Sequence, residues 1–106
     1  MLSERDYYSR LKSIYGALLT PRQKQVLELY LDQDLNLAEI GEILGISRQG
    51  VHDLLRRSLS TLGELEKKLS FLKKLEEIKN QVCQFMESNG ELKDGNFQAL
   101  GEFFDV

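Results

Sequence analysis

Apolar positions recur at steps of three and four residues along most of the chain, the period of helices packed by one face. The first run is Tyr8, Leu11, Ile14, Tyr15 and Leu18. It predicts one amphipathic helix reaching about Leu19, started by Ser3 with Asp6 in a Ser-x-x-acid arrangement. A second start follows at once in Thr20-Pro21-Arg22-Gln23. Thr20 is the cap, Pro21 suits the first helical position and Gln23 completes a capping box. Val26, Leu27, Tyr30 and Leu31 form the expected buried stripe of this helix. The acidic loop Asp32-Gln33-Asp34 then leads to Leu35.

The most informative stretch is residues 36–57, NLAEIGEILGISRQGVHDLLRR. Asn36 and Glu39 make another capping box, and Leu37, Ile40, Ile43 and Leu44 fall on one face. Gly41 sits in mid-helix, where glycine costs roughly 1 kcal/mol relative to alanine. A close helix crossing that admits no larger side chain explains its presence. Gly45 follows the helix, where a left-handed residue is expected. Ile46 fills the space under the turn and Ser47 caps the next helix. On that helix Val51, Leu54 and Leu55 face inward, while Arg48, Gln49, His52, Asp53 and Arg56 face outward or flank. A helix, a tight glycine turn and a second helix with a polar outer face form a helix-turn-helix, the unit that sets a helix in a DNA groove. Arg48 matches guanine and Gln49 adenine in the major groove. Arg56 and Arg57, one to two turns on, suit phosphates. The expected DNA-binding set is therefore Ser47, Arg48, Gln49, His52, Arg56 and Arg57, with Arg22 and Lys24 at the start of the second helix. Those last two either grip phosphate or are simply solvated. Tyr7 and Tyr8 are expected as packing aromatics rather than base-stacking ones.

Beyond Arg57 the apolar stripe continues through Leu59, Leu62, Leu65 and Leu69, then Leu72, Leu75, Ile78, Val82 and Phe85, with charged residues between. This is a coiled-coil-like pattern. One unbroken helix over residues 47–88 would be about 60 Å long, more than a small domain can cover. The stripe therefore meets another chain or breaks. Gly63 and Ser70 are the weak helix positions, and two helices joined near Ser70, contributing to a homodimer, are expected. Residues 1–62 read as the helix-turn-helix domain and 63–106 as a helical extension for dimerisation. Cys83 reads as a packed thiol. Asn89-Gly90 ends the helix, Asp94-Gly95 marks a turn, and Leu92, Phe97, Leu100, Phe103 and Phe104 suggest a short terminal helix.

Composition narrows the function more than the fold. The chain has 106 residues, 42% hydrophobic and 29% charged, enough for a small core. No apolar run is long enough to span a membrane, and residues 1–8, MLSERDYY, lack the apolar segment of a secretory signal. The single Cys83 excludes an internal disulfide and suits a reducing cytoplasm. The net charge of −3 is unusual for a nucleic-acid binder. Between Thr20 and Leu62 five basic residues (Arg22, Lys24, Arg48, Arg56, Arg57) stand against six acidic ones (Glu28, Asp32, Asp34, Glu39, Glu42, Asp53). One copy is expected to bind DNA weakly, since affinity rests on neutralising phosphates. Either a dimer doubles the contacts or the target is not simple duplex DNA. There is no phosphate-binding glycine loop. One His and one Cys cannot make a zinc site, no cofactor is expected, and a Cys83–His52 nucleophile pair is far less expected than a groove-facing or solvated His52. The chain is not expected to be an enzyme.

The run LLTPRQKQVLELYLDQDLNLAEIGEILGISRQGVHDLLRR resembles the YlxM-type helix-turn-helix family (UPF0122) of Gram-positive bacteria. Its Leu-Thr-Pro-Arg-Gln start and Gly-Ile-Ser-Arg-Gln turn carry the resemblance. It covers residues 8–69 well and the charged helical tail loosely. The same core resembles region 4 of bacterial sigma factors, which reads promoter DNA. The implied fold class is all-α, a sigma region 4-like helix-turn-helix with a long C-terminal helical extension. The resemblance implies a cytoplasmic, regulatory protein associated with the signal recognition particle pathway. The partners expected are DNA, a second copy of the chain and components of that particle. An adaptor binding the particle's RNA or protein instead of DNA, and a dimerisation module using the motif only as scaffold, are the competing readings. Gly50 and His52 depart from the family pattern, where a larger helix former and an aromatic are expected, and Gly50 is expected to loosen the recognition helix.

Overall fold

The computed structural model describes residues 4–89, and among these there are five α-helices and no strand. They are α1 (Glu4–Tyr15), α2 (Pro21–Leu27), α3 (Leu37–Leu44), α4 (Arg48–Leu69) and α5 (Phe71–Asn89). The Ser3 helix start, the Asp94-Gly95 turn and the terminal apolar run lie outside the described residues. The expected all-α class with a helix-turn-helix holds.

The capping boxes form as the sequence reads. The Thr20 side chain accepts from the Gln23 N–H at 3.2 Å, and the Thr20 N–H donates back to Gln23 Oε1 at 3.1 Å. Thr20 is extended (φ −66°, ψ 156°), which both a cap and a residue before proline require. Asn36 and Glu39 exchange the same pair of bonds at 2.8 and 3.0 Å. Two stripes are displaced from the expected register. The first helix stops at Tyr15 and tightens into a 3-10 turn over Gly16–Leu18. The changed winding leaves Leu18 62% exposed and puts Leu19 in the core. After α2 the chain widens into a π-helical turn, Glu28–Asp32, closed by a Gln33 N–H to Glu28 O bond of 3.1 Å. This shift buries Leu29, while Tyr30 and Leu31 are only half-buried. Ile43 also leaves its expected stripe and is exposed.

The core is organised on α4, against which α1, α2 and α3 all pack. Val51, Leu55, Ser58 and Leu62 are its buried positions, at steps of four, three and four. Facing them are Leu11 and Tyr15 of α1, Val26 and Leu27 of α2 and Ile40 of α3, all essentially without exposure. Buried Ser58 keeps its hydroxyl satisfied on the Leu54 carbonyl at 2.8 Å. The buried Tyr15 hydroxyl donates to Glu66 Oε1 at 2.7 Å. Arg5 pairs with Asp34 at 2.8 Å, donates to the Tyr30 carbonyl and lies 4.6 Å over the Tyr30 ring. Lys12 pairs with Asp32 at 2.8 Å. The first helix thus neutralises the acidic loop. Tyr7 and Tyr8 are half-buried and meet edge to face.

Of the two weak positions in the long stripe, Gly63 is spanned without interruption and Ser70 makes the break, with φ +55°. Its carbonyl accepts from the Lys74 N–H at 3.0 Å, so the residue that ends α4 also starts α5. The chain divides between Leu69 and Ser70 into two units. The first of these units holds α1 to α4 and ends with α4 at Leu69. In the second unit α5 exposes Phe71, Ile78 and Phe85, seven residues apart.

Gly41 shows why the motif needs glycine. A Cβ there would stand 2.7 Å from the Ile46 carbonyl oxygen and 3.6 Å from Val51 Cγ2. The tightest neighbour is the turn's own backbone, which cannot swing aside as a side chain can. The Gly45 and Ile46 N–H groups both return to the Gly41 carbonyl, and Gly45 takes φ +69°. Gly41→Ala is expected to destabilise the first unit by about 1–3 kcal/mol despite the better helix propensity of alanine. Gly63→Ala, where a Cβ meets nothing within 4 Å, is expected to stabilise by roughly 0.5–1 kcal/mol. Urea melts of the two variants check both signs.

Candidate nucleic-acid interface

The outward face of α4 begins at Ser47, whose Oγ accepts from the Gly50 N–H at 2.9 Å. That bond uses the oxygen as acceptor, and the hydroxyl hydrogen remains able to donate outward. Gly50 does not interrupt the helix. A Cβ at this position would lie 3.2 Å from the capping hydroxyl, so glycine gives the cap room.

Arg48, Gln49, His52, Arg56 and Arg57 are all exposed, on a helix whose opposite face is fixed in the core by Val51 and Leu55. Asp53 ties several of them together. The Gln49 amide donates to its carboxylate at 3.1 Å, His52 Nδ1 lies 3.7 Å from the same oxygen, and Arg57 Nε donates to its backbone carbonyl at 3.4 Å. The i, i+4 bond favours one orientation of the Gln49 amide, by about 0.2–0.5 kcal/mol. Arg48 and Arg56 have no hydrogen-bond or ion-pair partner among the described residues, so both guanidinium groups are available. They are eight positions apart, about 12 Å along the helix.

The surface around this face is grooved. Arg48, Gln49 and His52 line one notch with Leu37 of α3. Arg56 and Arg57 line another with Gln23 of α2, Ser60 and Thr61. Five of the sequence-derived residues thus line two notches along α4. Arg22 is exposed and its guanidinium reaches the Leu44 carbonyl at 3.4 Å, where the end of α3 leaves acceptors free. Lys24 is exposed beside Gly16 and lines none of these grooves. Sequence reasoning missed Gln23 and Leu37 as lining residues. Their proximity to α4 is tertiary and leaves no local pattern. The Asp53 contacts were available in the i, i+4 spacing of Gln49 and Asp53.

Chemically the face offers two free planar guanidinium forks, an oriented amide, an imidazole and a capping hydroxyl. Such groups match phosphate oxygens and base edges. Among the described residues no three His, Cys, Asp or Glu come together as metal ligands, and no helix is long and apolar enough to cross a membrane. Cys83 is half-buried and unpaired with any other cysteine.

Comparison with known proteins agrees with this geometry. Residues 2–100 match the family model described as "Putative helix-turn-helix protein, YlxM / p13 like". A UPF0122 protein of Thermoanaerobacter sp. (strain X514) is 45% identical over 76 residues, covering 72% of this chain and 65% of the relative. The chain thus spans just under two thirds of that relative's length. A UPF0122 protein of Clostridium kluyveri is 43% identical over 90 residues, covering 82% of this chain and 81% of the relative. One of Clostridium botulinum is 40% identical over 93 residues, covering 88% and 83%.

Proposed function

The chain belongs to the UPF0122 family of YlxM- and p13-like helix-turn-helix proteins, and from that premise we propose that it binds duplex DNA through the N-terminal half of α4 as a regulatory protein. The observation that carries the reading is the pair of unpartnered guanidinium groups, Arg48 and Arg56, on the outward face of a helix anchored by the core. In this reading Arg48, Gln49 and His52 meet base edges. Ser47, Arg56 and Arg57 meet phosphates, with Arg22 and Lys24 at the margin. Placing Arg48 and Gln49 in the first turn of the helix agrees with how recognition helices present their N-terminal residues to bases. On a duplex site selected from a random pool, the double variant Arg48→Ala, Gln49→Ala should bind at least tenfold more weakly, at roughly 1–3 kcal/mol per lost bidentate pair. Arg57→Ala should lower the slope of affinity against salt by about one. Unchanged affinity in a folded double variant would remove the reading.

The net charge of −3 makes a single copy a weak DNA ligand, and a homodimer would double the contacts. The seven-residue spacing of Phe71, Ile78 and Phe85, all partly exposed on α5, supports pairing through the second unit. Sedimentation should give a dimer that Phe85→Lys shifts to monomer. A monomeric parent protein at micromolar concentration would refute the pairing.

The same acidic balance favours a second reading, an adaptor for the RNA or protein of the signal recognition particle. It predicts co-purification with that particle at mild salt, lost on RNase treatment if RNA is the contact and retained if protein is. No recovery of particle components would exclude it.

A further inference from the structure

Beside the two groups of DNA-directed residues lies a groove they do not account for. Tyr30, Leu37, His52, Leu55, Arg56 and Leu59 line an open groove of about 330 Å³. Leu37 and His52 also line the notch with Arg48 and Gln49. Tyr30 and Leu59 also line a cavity of about 390 Å³ with Glu4, Arg5, Tyr8 and Leu31. The three hollows therefore share walls and adjoin along the helix. The apolar lining is Leu37, Leu55 and Leu59, and Tyr30 lines both this groove and the 390 Å³ cavity. The rim beside α4 carries Arg56 and His52, with Arg48 in the neighbouring notch, and neither arginine has a partner among the described residues. The anions nearby are engaged: Asp53 by Gln49, and Asp34 by Arg5. Glu4 lies in the far cavity together with Arg5.

A backbone phosphate has no use for an apolar floor, and an aliphatic ligand has no use for two free guanidinium groups. The combination of an apolar, tyrosine-walled slot with cations at its edge suits a nucleotide whose base has left the stack. We propose that this groove takes one unpaired base of a DNA strand, packed against Tyr30 and the leucines, while Arg56 holds a flanking phosphate. The site makes the protein prefer DNA with an extruded base over a perfect duplex. It rests on the proposed use of α4 for its phosphate contacts and adds a pocket that duplex reading does not need. It also offers a way for an acidic protein to gain affinity from stacking rather than from charge alone.

The test uses labelled oligonucleotides and fluorescence anisotropy at low salt, with three targets of the same sequence context. These are a perfect duplex, a duplex with a one-nucleotide bulge, and the same bulge with an abasic residue. The expected result is tighter binding of the base-bearing bulge than of the other two, on the order of tenfold. Tyr30→Leu should erase that difference and leave perfect-duplex affinity unchanged. Leu37→Ala should reduce the difference in the same direction, which keeps the test decisive if the Tyr30 variant loses its helical circular dichroism. Equal affinity for the base-bearing and abasic bulges would overturn the proposal while leaving duplex binding standing. Binding of the bulge without binding of the duplex would support the pocket and refute the duplex reading. Tighter binding of the same bulge made in RNA would overturn the assignment to DNA.

Discussion

The buried face of α4 is the constraint on which the rest of the first unit depends. Val51, Leu55, Ser58 and Leu62 form one line along the helix, and α1, α2 and α3 each cover part of it. Because the same helix carries Arg48 to Arg57 on its other side, burial of the inner line fixes the rotation of the outer one. A helix held by three neighbours cannot turn about its axis without exposing leucine and valine, at roughly 1.5–3 kcal/mol per side chain. The rigidity of α4 thus comes from the core rather than from any contact on its outer face.

The turn before α4 adds a second restraint at short range. Gly41 lets the Ile46 carbonyl approach, Gly45 supplies the left-handed residue, and Ser47 closes the next helix on Gly50. Each of these glycines answers a different steric demand. At 41 the demand is space against backbone, at 45 it is positive φ, and at 50 it is room for the capping hydroxyl. Gly50 then reads as part of the cap, and the helix runs through it unbroken.

Electrostatics on this protein is local rather than global. The net charge is negative, yet the acidic loop at Asp32 and Asp34 is matched by Lys12 and Arg5 from α1. Asp53 is occupied by its neighbours on α4. Among the described residues, the Arg48 and Arg56 guanidinium groups are left without partners, on the outward face of one helix. A count over the sequence averages these environments together, and screening over about 10 Å at ordinary salt means that a bound polyanion responds mainly to the nearest ones.

Much of this was legible in the sequence because it is encoded by neighbours a few residues apart. Both capping boxes, the left-handed Gly45, the inward Val51 and Leu55 and the break at Ser70 follow from residue types at fixed short spacings. The exposed character of Arg48, Gln49, His52 and Arg56 follows from the same periodicity. What the tertiary structure alone decided involves departures from the ideal helical period and contacts across the chain. The 3-10 turn at Gly16–Leu18 exchanged Leu18 for Leu19, and the π-helical turn at Glu28–Asp32 exchanged Tyr30 for Leu29 in the core. Such changes of winding are set by how the next helix must dock, so a fixed period of 3.6 cannot foresee them. The bond from Tyr15 to Glu66 and the meeting of Tyr30 and Leu37 with His52 and Arg56 join residues far apart in sequence. They exist only because α1, α2 and α3 converge on one helix.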